Sequence, residues 1–586
     1  MKYPKIPLAQ TVIQLCKAKH IKHIVISPGS RSAPLTIGFT HDAYFTCYSV
    51  VDERCAAFFA LGIAQQIQKP VAVVCSSGSA LLNYYPAIAE AFYSNIPLVV
   101  LSADRPKHLI GIGDGQTINQ ENVFENHILY SANLKQDINA DSSVLAHEDS
   151  PIFKNLETKI EKLLGLQQNI QSQNEAAINS ALNVAMHKNG PVHINIPFNE
   201  PLYETVTELS VNVKVEDVKV KPNKLEDYQL SNLVSNWYDA KKKLVLVGVN
   251  TPNSIEQKWL DELAKDESVI VFTETTSNLH HPQFFSSIDK IIAPLTTEEF
   301  KALQPDILLT FGGLIVSKKI KAFLRSYKPK QHWHIGTEKA NDTFFCLKEH
   351  IKISPNQFFT QFLQEVKHFT KSDYQAYWTN IKKSRKKKHT AYLENLAFSD
   401  LKAFQAILKS IPEHAILQLS NSSTIRYAQL FNINKTLSVF CNRGTSGIDG
   451  STSTAVGCAV ANTAQTVFIT GDLSFFYDSN ALWNNYIPNH FRIIVINNQG
   501  GGIFRILPGD KNTENFDTYF ETKHQLSVKH LSAMYGFEYL KASNNETLNE
   551  ALQSFYLASN TPKILEVFTP RTSNDTTLLD YFKALK

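Results

Sequence analysis

The sequence predicts an α/β protein with three domains, each a doubly wound parallel sheet covered by helices on both faces. Two observations support this fold class. Short apolar runs rich in β-branched residues alternate with helical patterns along the whole chain, and such runs are typical of parallel strands that are buried on both faces. The length of 586 residues is too great for one hydrophobic core and suggests about three to four domains.

The predicted strands form three groups of four along the chain. The first group comprises HIVIS from His23, PVAVVC from Pro70, PLVVLSA from Pro97 and VHINIP from Val192. The second comprises LVLVGV from Leu244, VIVFTE from Val269, ILLTFG from Ile307 and HWHIG from His332. The third comprises AILQLS from Ala415, TVFITG from Thr466, RIIVIN from Arg492 and KILEVF from Lys563. We therefore place the three domains at residues 1–202, 225–365 and 395–586.

Polar stretches separate the three groups, and the second stretch contains the basic run KKSRKKK at Lys382–Lys388. We interpret this run as a solvated face of a helix or linker. The net charge of the whole chain is only +4, which gives no support to nucleic-acid binding.

The composition indicates a cytoplasmic protein without membrane insertion. No run approaches the roughly 18 apolar residues of a membrane helix. The N-terminal segment lacks the continuous apolar core of a signal peptide and is predicted to be the first helix. The seven cysteines form no CxxC pair and lie mostly in apolar segments, which favours reduced, buried thiols over disulfides or a zinc site.

Polar residues and glycines follow two consecutive predicted strands of the third group. TVFIT runs into Gly471-Asp472-Leu473-Ser474, and RIIVI runs into Asn497-Asn498-Gln499-Gly500-Gly501-Gly502. Mg²⁺ prefers hard oxygen ligands and usually shares them with a phosphate. The carboxylate of Asp472, the amide oxygen of Asn498 and a carbonyl near Gly500 are therefore candidate ligands. Either segment alone is typical of a simple turn, but their placement after consecutive strands favours a metal-diphosphate site.

A second candidate residue is Glu53, in the first turn of a predicted helix that opens at Asp52 and has an almost wholly apolar body. A glutamate at this place usually complements the helix dipole. A carboxylate among apolar neighbours can instead share a proton with a ring nitrogen. The residues alone leave both interpretations open.

The run from Gly471 to Asn498 resembles the cofactor motif of the thiamin-diphosphate enzyme superfamily, which begins with Gly-Asp-Gly and ends with two asparagines. Leu473 replaces the third glycine, a departure shared by one branch. The resemblance implies thiamin diphosphate, with Mg²⁺ or alternatively Mn²⁺, and a thiamin-diphosphate-binding fold. The first domain would bind the pyrimidine and the third the diphosphate.

The same resemblance implies that Glu53 is catalytic, because it would share the N1′ proton of the pyrimidine. It also implies a homodimer or a higher even homo-oligomer, since in this superfamily the two domains that form one site come from different subunits. The implied cofactor-binding residues are Glu53, Ser422, Ile448, Gly471, Asp472, Leu473, Ser474 and Asn498. The implied metal ligands are Asp472, Asn498 and Gly500.

Motifs in both terminal domains narrow the resemblance. They are SPGSRSAPL from Ser27, DERCAAFFALG from Asp52, LSADRP from Leu101, GDGQTINQ from Gly113, GPVHINIPFNEPL from Gly190, NRGTSGIDG from Asn442 and GDLSFFYDSNAL from Gly471. They are similar to those of the 2-succinyl-5-enolpyruvyl-6-hydroxy-3-cyclohexene-1-carboxylate synthase family of menaquinone biosynthesis. The central domain matches only in architecture. The resemblance implies a transferase that decarboxylates 2-oxoglutarate and joins the remainder to isochorismate.

Both implied substrates are dicarboxylates, and the guanidinium fork of arginine suits carboxylates best. Arg31 and Arg105 follow predicted strands of the first domain, and Arg426 and Arg443 lie near strand ends of the third. Any one of them is more commonly structural, whereas four at predicted carboxyl edges support a dicarboxylate pocket. By resemblance, the substrate-lining residues are Ser30, Arg31, Arg105, Gln116, Lys318, Ser422, Arg426, Arg443, Ile503 and Phe504.

Two other functions stay open. An acetolactate-type carboligase acting on pyruvate would need fewer cations. A noncatalytic binding protein with the same fold would be favoured by loss of Glu53 or Asp472, and neither residue is lost. The sequence argues against a dinucleotide-dependent dehydrogenase, because no predicted strand is followed by GxGxxG.

Overall fold

A computed structural model describes residues 2–137, 154–218, 223–507 and 509–586, with backbone only at 154–164. The chain divides into two compact units. The first comprises Met1–Val220, Ser453–Asn462 and Asp478–Ile487. The second comprises Lys221–Thr452, Thr463–Tyr477 and Pro488–Lys586.

The N-terminal part of the first unit contains eight strands and six α-helices among its described residues. In chain order they are β1 (Tyr3–Pro4), α1 (Pro7–Ala18), β2 (His23–Ile26), α2 (Ala33–His41), β3 (Thr46–Ser49), α3 (Glu53–Ile67), β4 (Val71–Cys75), α4 (Ser79–Asn83), α5 (Tyr85–Ser94), β5 (Leu98–Asp104), β6 (Tyr130–Asn133), α6 (Lys154–Lys188), β7 (Val192–Pro197) and β8 (Thr205–Val206). Strands β3-β2-β4-β5-β7-β6 form a parallel sheet in that order, and β1 pairs antiparallel with β8.

The elements that follow build two more sheets. The central ones are α7 (Asp227–Asp239), β9 (Lys243–Val247), α8 (Gln257–Lys265), β10 (Val269–Thr273), α9 (Ile288–Ile292), α10 (Thr297–Leu303), β11 (Ile307–Phe311), α11 (Lys318–Ser326), β12 (Gln331–Ile335), β13 (Glu349–Ile351), α12 (Pro355–Glu365) and α13 (Tyr374–Glu394). The last ones are α14 (Asp400–Ser410), β14 (Ile416–Leu419), α15 (Ser423–Ala428), β15 (Ser438–Cys441), α16 (Ser451–Val460), β16 (Thr466–Gly471), α17 (Asp472–Tyr477), β17 (Phe491–Asn497), α18 (Glu514–Tyr519), α19 (Lys529–Met534), β18 (Glu538–Ala542), α20 (Asn545–Phe555), β19 (Lys563–Phe568) and α21 (Asn574–Ala584).

The central sheet has the order β10-β9-β11-β12-β13, and the third has the order β15-β14-β16-β17-β19-β18. Neighbouring strands run parallel in both of these sheets. All the strands predicted from the sequence are present, with small shifts at their ends, so the predicted fold class is confirmed. The limits 1–202, 225–365 and 395–586 stay predictions, because a sheet marks the middle of a domain and not its boundary.

Alternate residues of the central strands enter different hydrophobic clusters. Val245 and Val247 of β9 pack in one cluster, while Leu244 and Leu246 pack in another. Both faces of the sheet are therefore covered, which explains why its strands read as continuous apolar runs.

The basic run lies in α13, as predicted, but it is only partly solvated. The Nζ of Lys382 donates hydrogen bonds to the carbonyls of Pro282 and Phe284 at 2.8 Å and 2.7 Å. Arg385 is buried and binds the carbonyls of Leu585 and Lys586. The prediction of a solvated face was wrong for these two side chains, because they anchor the helix to neighbouring segments.

Asn278 connects the central region of the second unit to the third sheet. Its Nδ2 donates to the carbonyl of Val439 at 2.9 Å, and its Oδ1 accepts from the backbone N–H of the same residue at 2.8 Å. Val439 lies in β15, so this amide pairs with an edge strand as another strand would.

No disulfide joins any of the seven cysteines, and five of them are buried, in agreement with the predicted buried thiols. None of the helices in the described ranges combines the length and apolar composition needed to cross a bilayer.

Candidate functional site

A cavity of about 170 Å³ opens at the carboxyl end of the third sheet. The chain passes from β14 to one side of the sheet and from β16 to the other. The cavity thus lies where the strand order reverses, which is where open α/β sheets bind ligands. The residues predicted from the sequence that line it are Ser422, Ile448, Gly471, Asp472, Leu473, Ser474, Asn498, Gly500, Ile503 and Phe504.

Asp472 lies at the junction of β16 and α17. Its side chain is buried. Its Oδ1 accepts a hydrogen bond from the backbone N–H of Leu473 at 2.7 Å, and its Oδ2 accepts one from that of Gly500 at 3.1 Å. The carboxylate therefore ties the ends of β16 and β17 together at the wall of the cavity.

The glycine turn after β17 is held by Glu521. The backbone N–H of Gly501 donates to the carbonyl of Glu521 at 2.6 Å. A Cβ at Gly500, where φ is 153°, would lie 2.7 Å from that oxygen, so the turn needs glycine. The carboxylate of Glu521 is bound in turn by Arg505 and Arg571.

The donor set fits a divalent metal that is shared with a diphosphate. The Nδ2 of Asn498 donates to the Oδ2 of Asp400 at 3.0 Å, which leaves the amide oxygen as a ligand. This oxygen, the carboxylate of Asp472 and the carbonyl of Gly500 are the hard donors that Mg²⁺ prefers. Among the described residues, no three His, Cys, Asp or Glu side chains form a metal site by themselves.

Asp400, the partner of Asn498, also lines the cavity and is 2% exposed. Burial raises the pKa of this carboxyl to about 6, against hydrogen bonds from Thr569 and Asn498 that favour the charged form. The nearby charge of Asp472 also raises this pKa.

Two further residues that line the cavity, Ser422 and Ile448, follow β14 and β15. Ser422 has a φ of 67°, which is unusual for a residue with a side chain. The Oγ of Ser474 donates to the carbonyl of Ile448 at 3.1 Å, and the Nδ2 of Asn421 donates to the carbonyl of Gly447 at 2.8 Å. These bonds hold the segment around Ile448 at the ends of the two strands.

Arg426 and Arg443 bind cavity residues without lining the cavity themselves. Arg426 donates to the carbonyl of Ser422, and Arg443 donates to the Oδ1 of Asn421, both at 2.6 Å. Burial lowers the pKa of Arg426, and the nearby Arg443 lowers it further. Two guanidinium groups are thus brought together, as a carboxylate pocket requires.

In the first unit, Glu53 is the first residue of α3 and is half-buried. Asp52 caps the helix, with its Oδ1 accepting the backbone N–H of Cys55 at 3.1 Å. The helix therefore opens as predicted. The Oε2 of Glu53 accepts a hydrogen bond from the Nδ2 of Asn83 at 3.4 Å. Because Asp52 caps α3, the carboxylate of Glu53 is not needed as the helix cap.

Arg31 and Arg105 form a second arginine pair, within the first unit. Burial lowers the pKa of Arg31, and Arg105 is the next largest cause. The Nη2 of Arg31 lies 3.3 Å from the carboxylate of Glu200, and the Nε of Arg105 lies 3.2 Å from that of Asp114. Both acidic partners are exposed, so each arginine has a partner that a ligand can displace.

Three predicted substrate residues, Ser30, Gln116 and Lys318, have exposed side chains. Lys318 begins α11 of the central sheet and is not among the residues lining the cavity. The structure therefore brings ten predicted residues to one cavity, places one arginine pair beside it, and does not bring Lys318 to it.

Sequence reasoning missed four residues around the cavity. Asp400, Asn421 and Glu521 make the contacts described above, and the Nε2 of His524 lies 3.3 Å from the Oδ2 of Asp472. The Ser-Asp pair at 399–400 signals a helix start, but no spacing connects any of the four to the cofactor motif.

Comparison with known proteins gives matches at both ends of the chain. Residues 6–128 match the family described as thiamine pyrophosphate enzyme, N-terminal TPP binding domain. Residues 421–567 match the corresponding C-terminal TPP binding domain.

Full-length relatives are also found. The chain is 56% identical to the 2-succinyl-5-enolpyruvyl-6-hydroxy-3-cyclohexene-1-carboxylate synthases of Flavobacterium psychrophilum and Christiangramia forsetii, with 100% of both chains covered in each case. It is 36% identical to the synthase of Porphyromonas gingivalis over 97% of this chain and 96% of the relative.

Proposed function

Because this chain belongs to the 2-succinyl-5-enolpyruvyl-6-hydroxy-3-cyclohexene-1-carboxylate synthase family, we propose that it decarboxylates 2-oxoglutarate and adds the remainder to isochorismate. The products are 2-succinyl-5-enolpyruvyl-6-hydroxy-3-cyclohexene-1-carboxylate and carbon dioxide. The observation that carries this proposal is the cavity where Asp472, Asn498 and the turn at Gly500 lie together.

Bound thiamin diphosphate supplies an electron sink for the loss of carbon dioxide. Asp472, Asn498 and the carbonyl of Gly500 would hold a divalent metal, with Mg²⁺ expected and Mn²⁺ as the alternative. No atom lies within 4 Å of a Cβ built at Gly471, so the backbone there leaves room for a phosphate group.

Other residues position the cofactor and exclude water. Ile448, in the segment that Ser474 holds, would support the cofactor, and Ile503 and Phe504 would supply an apolar wall of the cavity. Leu473 and Ser422 complete the binding surface.

Glu53 holds a proton at the N1′ atom of the pyrimidine. We place it opposite the diphosphate cavity of a second copy, so the working enzyme is a homodimer or a higher even homo-oligomer. A cytoplasmic location agrees with the absence of disulfides among the seven cysteines.

The two arginine pairs bind the carboxylates of the substrates, with Ser30, Gln116 and Lys318 as further polar contacts. We assign Arg426 and Arg443, which lie beside the third-sheet cavity, to the carboxylates of 2-oxoglutarate. Arg31 and Arg105 then serve isochorismate.

Incubation of the purified protein with 2-oxoglutarate, isochorismate, thiamin diphosphate and Mg²⁺ tests the proposal, with the product identified by mass. We expect the mass of the named product, and none of it when isochorismate is omitted. Glu53→Gln is the matched variant, because an amide cannot share the N1′ proton as a carboxylic acid can. It should slow hydrogen–deuterium exchange at the C2 of the cofactor.

Pyruvate is the control donor. It lacks the distal carboxylate and would leave a guanidinium unpaired, so we expect a kcat/KM about ten to a hundredfold lower than with 2-oxoglutarate. Equal use of the two donors would reject the dicarboxylate pocket and favour an acetolactate-type carboligase.

A further inference from the structure

A buried carboxylate, that of Asp400, lies between the ends of two strands of the third sheet. Its Oδ1 accepts a hydrogen bond from the Oγ1 of Thr569 at 2.5 Å, and its Oδ2 accepts one from the Nδ2 of Asn498 at 3.0 Å. Thr569 follows β19 and Asn498 follows β17. The backbone N–H of Thr569 also donates to the carbonyl of Asn497 at 3.1 Å. One oxygen of Asp400 is therefore directed at Thr569 and the other at the side chain of Asn498.

The backbone of Asp400 is anchored as well. Its N–H donates to the Oδ1 of Asn574 at 2.8 Å, and the Nδ2 of Asn574 donates to the carbonyl of Pro570 at 2.7 Å. Asp400 is also the first residue of α14, which Ser399 caps. The carboxylate therefore has little freedom to follow a rotation of Asn498.

An ionised carboxylate only accepts hydrogen bonds, whereas an amide has one donor end and one acceptor end. Asp400 can pair only with the nitrogen end of Asn498. If the amide were turned round, its oxygen would face a carboxylate oxygen and a charge-assisted hydrogen bond would be lost.

We propose that Asp400 is a positioning residue that fixes the amide of Asn498 with its oxygen available to the divalent metal. The inference rests on the proposed metal site. Asp400 acts through Asn498 and does not itself bind the metal. A bare asparagine would present oxygen or nitrogen to the metal, and only the oxygen is a ligand for Mg²⁺ or Mn²⁺.

A double-mutant cycle tests the proposal without any measurement of activity. The probe is Mn²⁺ binding to the full-length protein in the presence of thiamin diphosphate, followed by the electron paramagnetic resonance signal of free Mn²⁺. Asp400→Asn keeps the size of the side chain but accepts either end of the Asn498 amide. We expect the affinity for Mn²⁺ to fall about tenfold.

The same substitution is then made in an Asn498→Ala background. There we expect Asp400→Asn to change the affinity by less than about twofold, because no amide is left to orient. An equal loss in both backgrounds would overturn the proposal, since it would mean that Asp400 acts only through its charge.

Thr569→Val is the control for a structural effect. It removes the other hydrogen bond of Asp400 without touching Asn498, so it should lower thermal stability while the Mn²⁺ affinity stays within about threefold of the parent. A loss as large as that of Asp400→Asn would also overturn the proposal.

Asp472→Asn separates this inference from the metal site itself. If Asp472→Asn weakens Mn²⁺ binding and Asp400→Asn does not, the positioning role is rejected and the site stands. If neither variant changes the affinity, both the metal site and the positioning role are rejected.

Discussion

The central and third sheets share one kind of topology, yet they differ where their strand order reverses. In the central sheet this point lies between β9 and β11. The N–H of Gly313 donates to the carbonyl of Val249 at 2.7 Å, and a Cβ at Gly248 would lie 1.9 Å from the carbonyl oxygen of Gly313. In the third sheet the corresponding ends of β14 and β16 line a cavity. The backbone fills one crevice and leaves the other open.

Each sheet also has a buried carboxylate after a strand. Glu274 follows β10, and its two oxygens accept the backbone N–H groups of Val316 and Ser317, both at 2.7 Å. Asp472 follows β16 and lines the cavity. A carboxylate at a strand end therefore does not identify a binding site, because it can serve the fold alone.

Substitutions of Asp472 and Glu274 should differ most in their effect on the affinity for the cofactor. Asp472→Asn should weaken binding of thiamin diphosphate at saturating Mg²⁺ by about a hundredfold, because an ionic ligand becomes neutral. Glu274→Gln should leave that affinity unchanged and lower the free energy of unfolding by about 1–3 kcal/mol. Calorimetric titration and urea unfolding measure the two quantities. Equal loss of affinity in both variants would remove the distinction between the sheets.

Arg426, near the third sheet, and Lys318, near the central sheet, should contribute differently to the use of 2-oxoglutarate. Arg426→Gln should lower kcat/KM for 2-oxoglutarate about ten to a hundredfold, since a charge-assisted hydrogen bond is lost. Lys318→Gln, at the start of α11 in the central region, should lower this kcat/KM less, because the exposed ammonium group of Lys318 is screened by water. Steady-state kinetics with varied 2-oxoglutarate decide between them. A larger effect at Lys318 would move the donor pocket towards the central sheet.

The two crevices should also respond differently to an added methyl group. Gly248→Ala forces a Cβ against the Gly313 carbonyl and should lower the free energy of unfolding by about 1–3 kcal/mol. Gly471→Ala meets open space and should change it by less than about 0.5 kcal/mol, while weakening cofactor binding. Urea unfolding of the two cofactor-free variants is the measurement. Similar stability losses would contradict the open crevice.

The last contrast is a pH dependence of stability at Glu274. Burial, with a smaller contribution from the charge of Asp289, raises the pKa of this carboxyl from 4.5 to about 7, although the backbone hydrogen bonds from Val316 and Ser317 and the charge of Arg443 lower it. The folded state therefore holds a proton that the unfolded state has lost, and stability falls as the pH rises from about 4.5 to 7. One proton contributes at most about 1.4 kcal/mol per pH unit.

Glu274→Gln should remove this contribution. Asp478, whose pKa burial also raises to about 7, is present in both proteins and cancels in the difference. Urea unfolding at several pH values gives the two slopes. Parallel slopes would show that Glu274 does not titrate in this range.

The predicted strands are mostly the inner strands of the three sheets, and the missed ones are at edges. Strands β3, β6, β13, β15 and β18 are all terminal in their sheets. Their exposed or half-exposed positions, as in β18 at Glu538–Ala542, interrupt the apolar pattern. An inner strand is buried on both faces, so its sequence is a continuous apolar run that predicts it. An edge strand lacks this run, and its formation depends on the neighbouring strand that it pairs with.

The same distinction holds for the candidate site. Asp472 and Asn498 could be predicted because they follow apolar strands directly. Asp400 reaches the cavity from a helix start 98 residues before Asn498, and Glu521 binds the glycine turn from the loop after α18. Only the folded chain brings these residues to the site. The sequence also did not predict which carboxylate each arginine binds. The partner of a long side chain depends on the positions that the folded backbone gives to both residues.

The amide of Asn278 has a consequence for solubility. An edge strand presents unpaired N–H and C=O groups that can template pairing with another molecule and so lead to aggregation. Asn278 occupies both groups of Val439 in β15, and it does so from a loop, which cannot extend into a growing sheet. At Val439, the side chain of Asn278 therefore blocks the pairing of another strand with this edge of the third sheet.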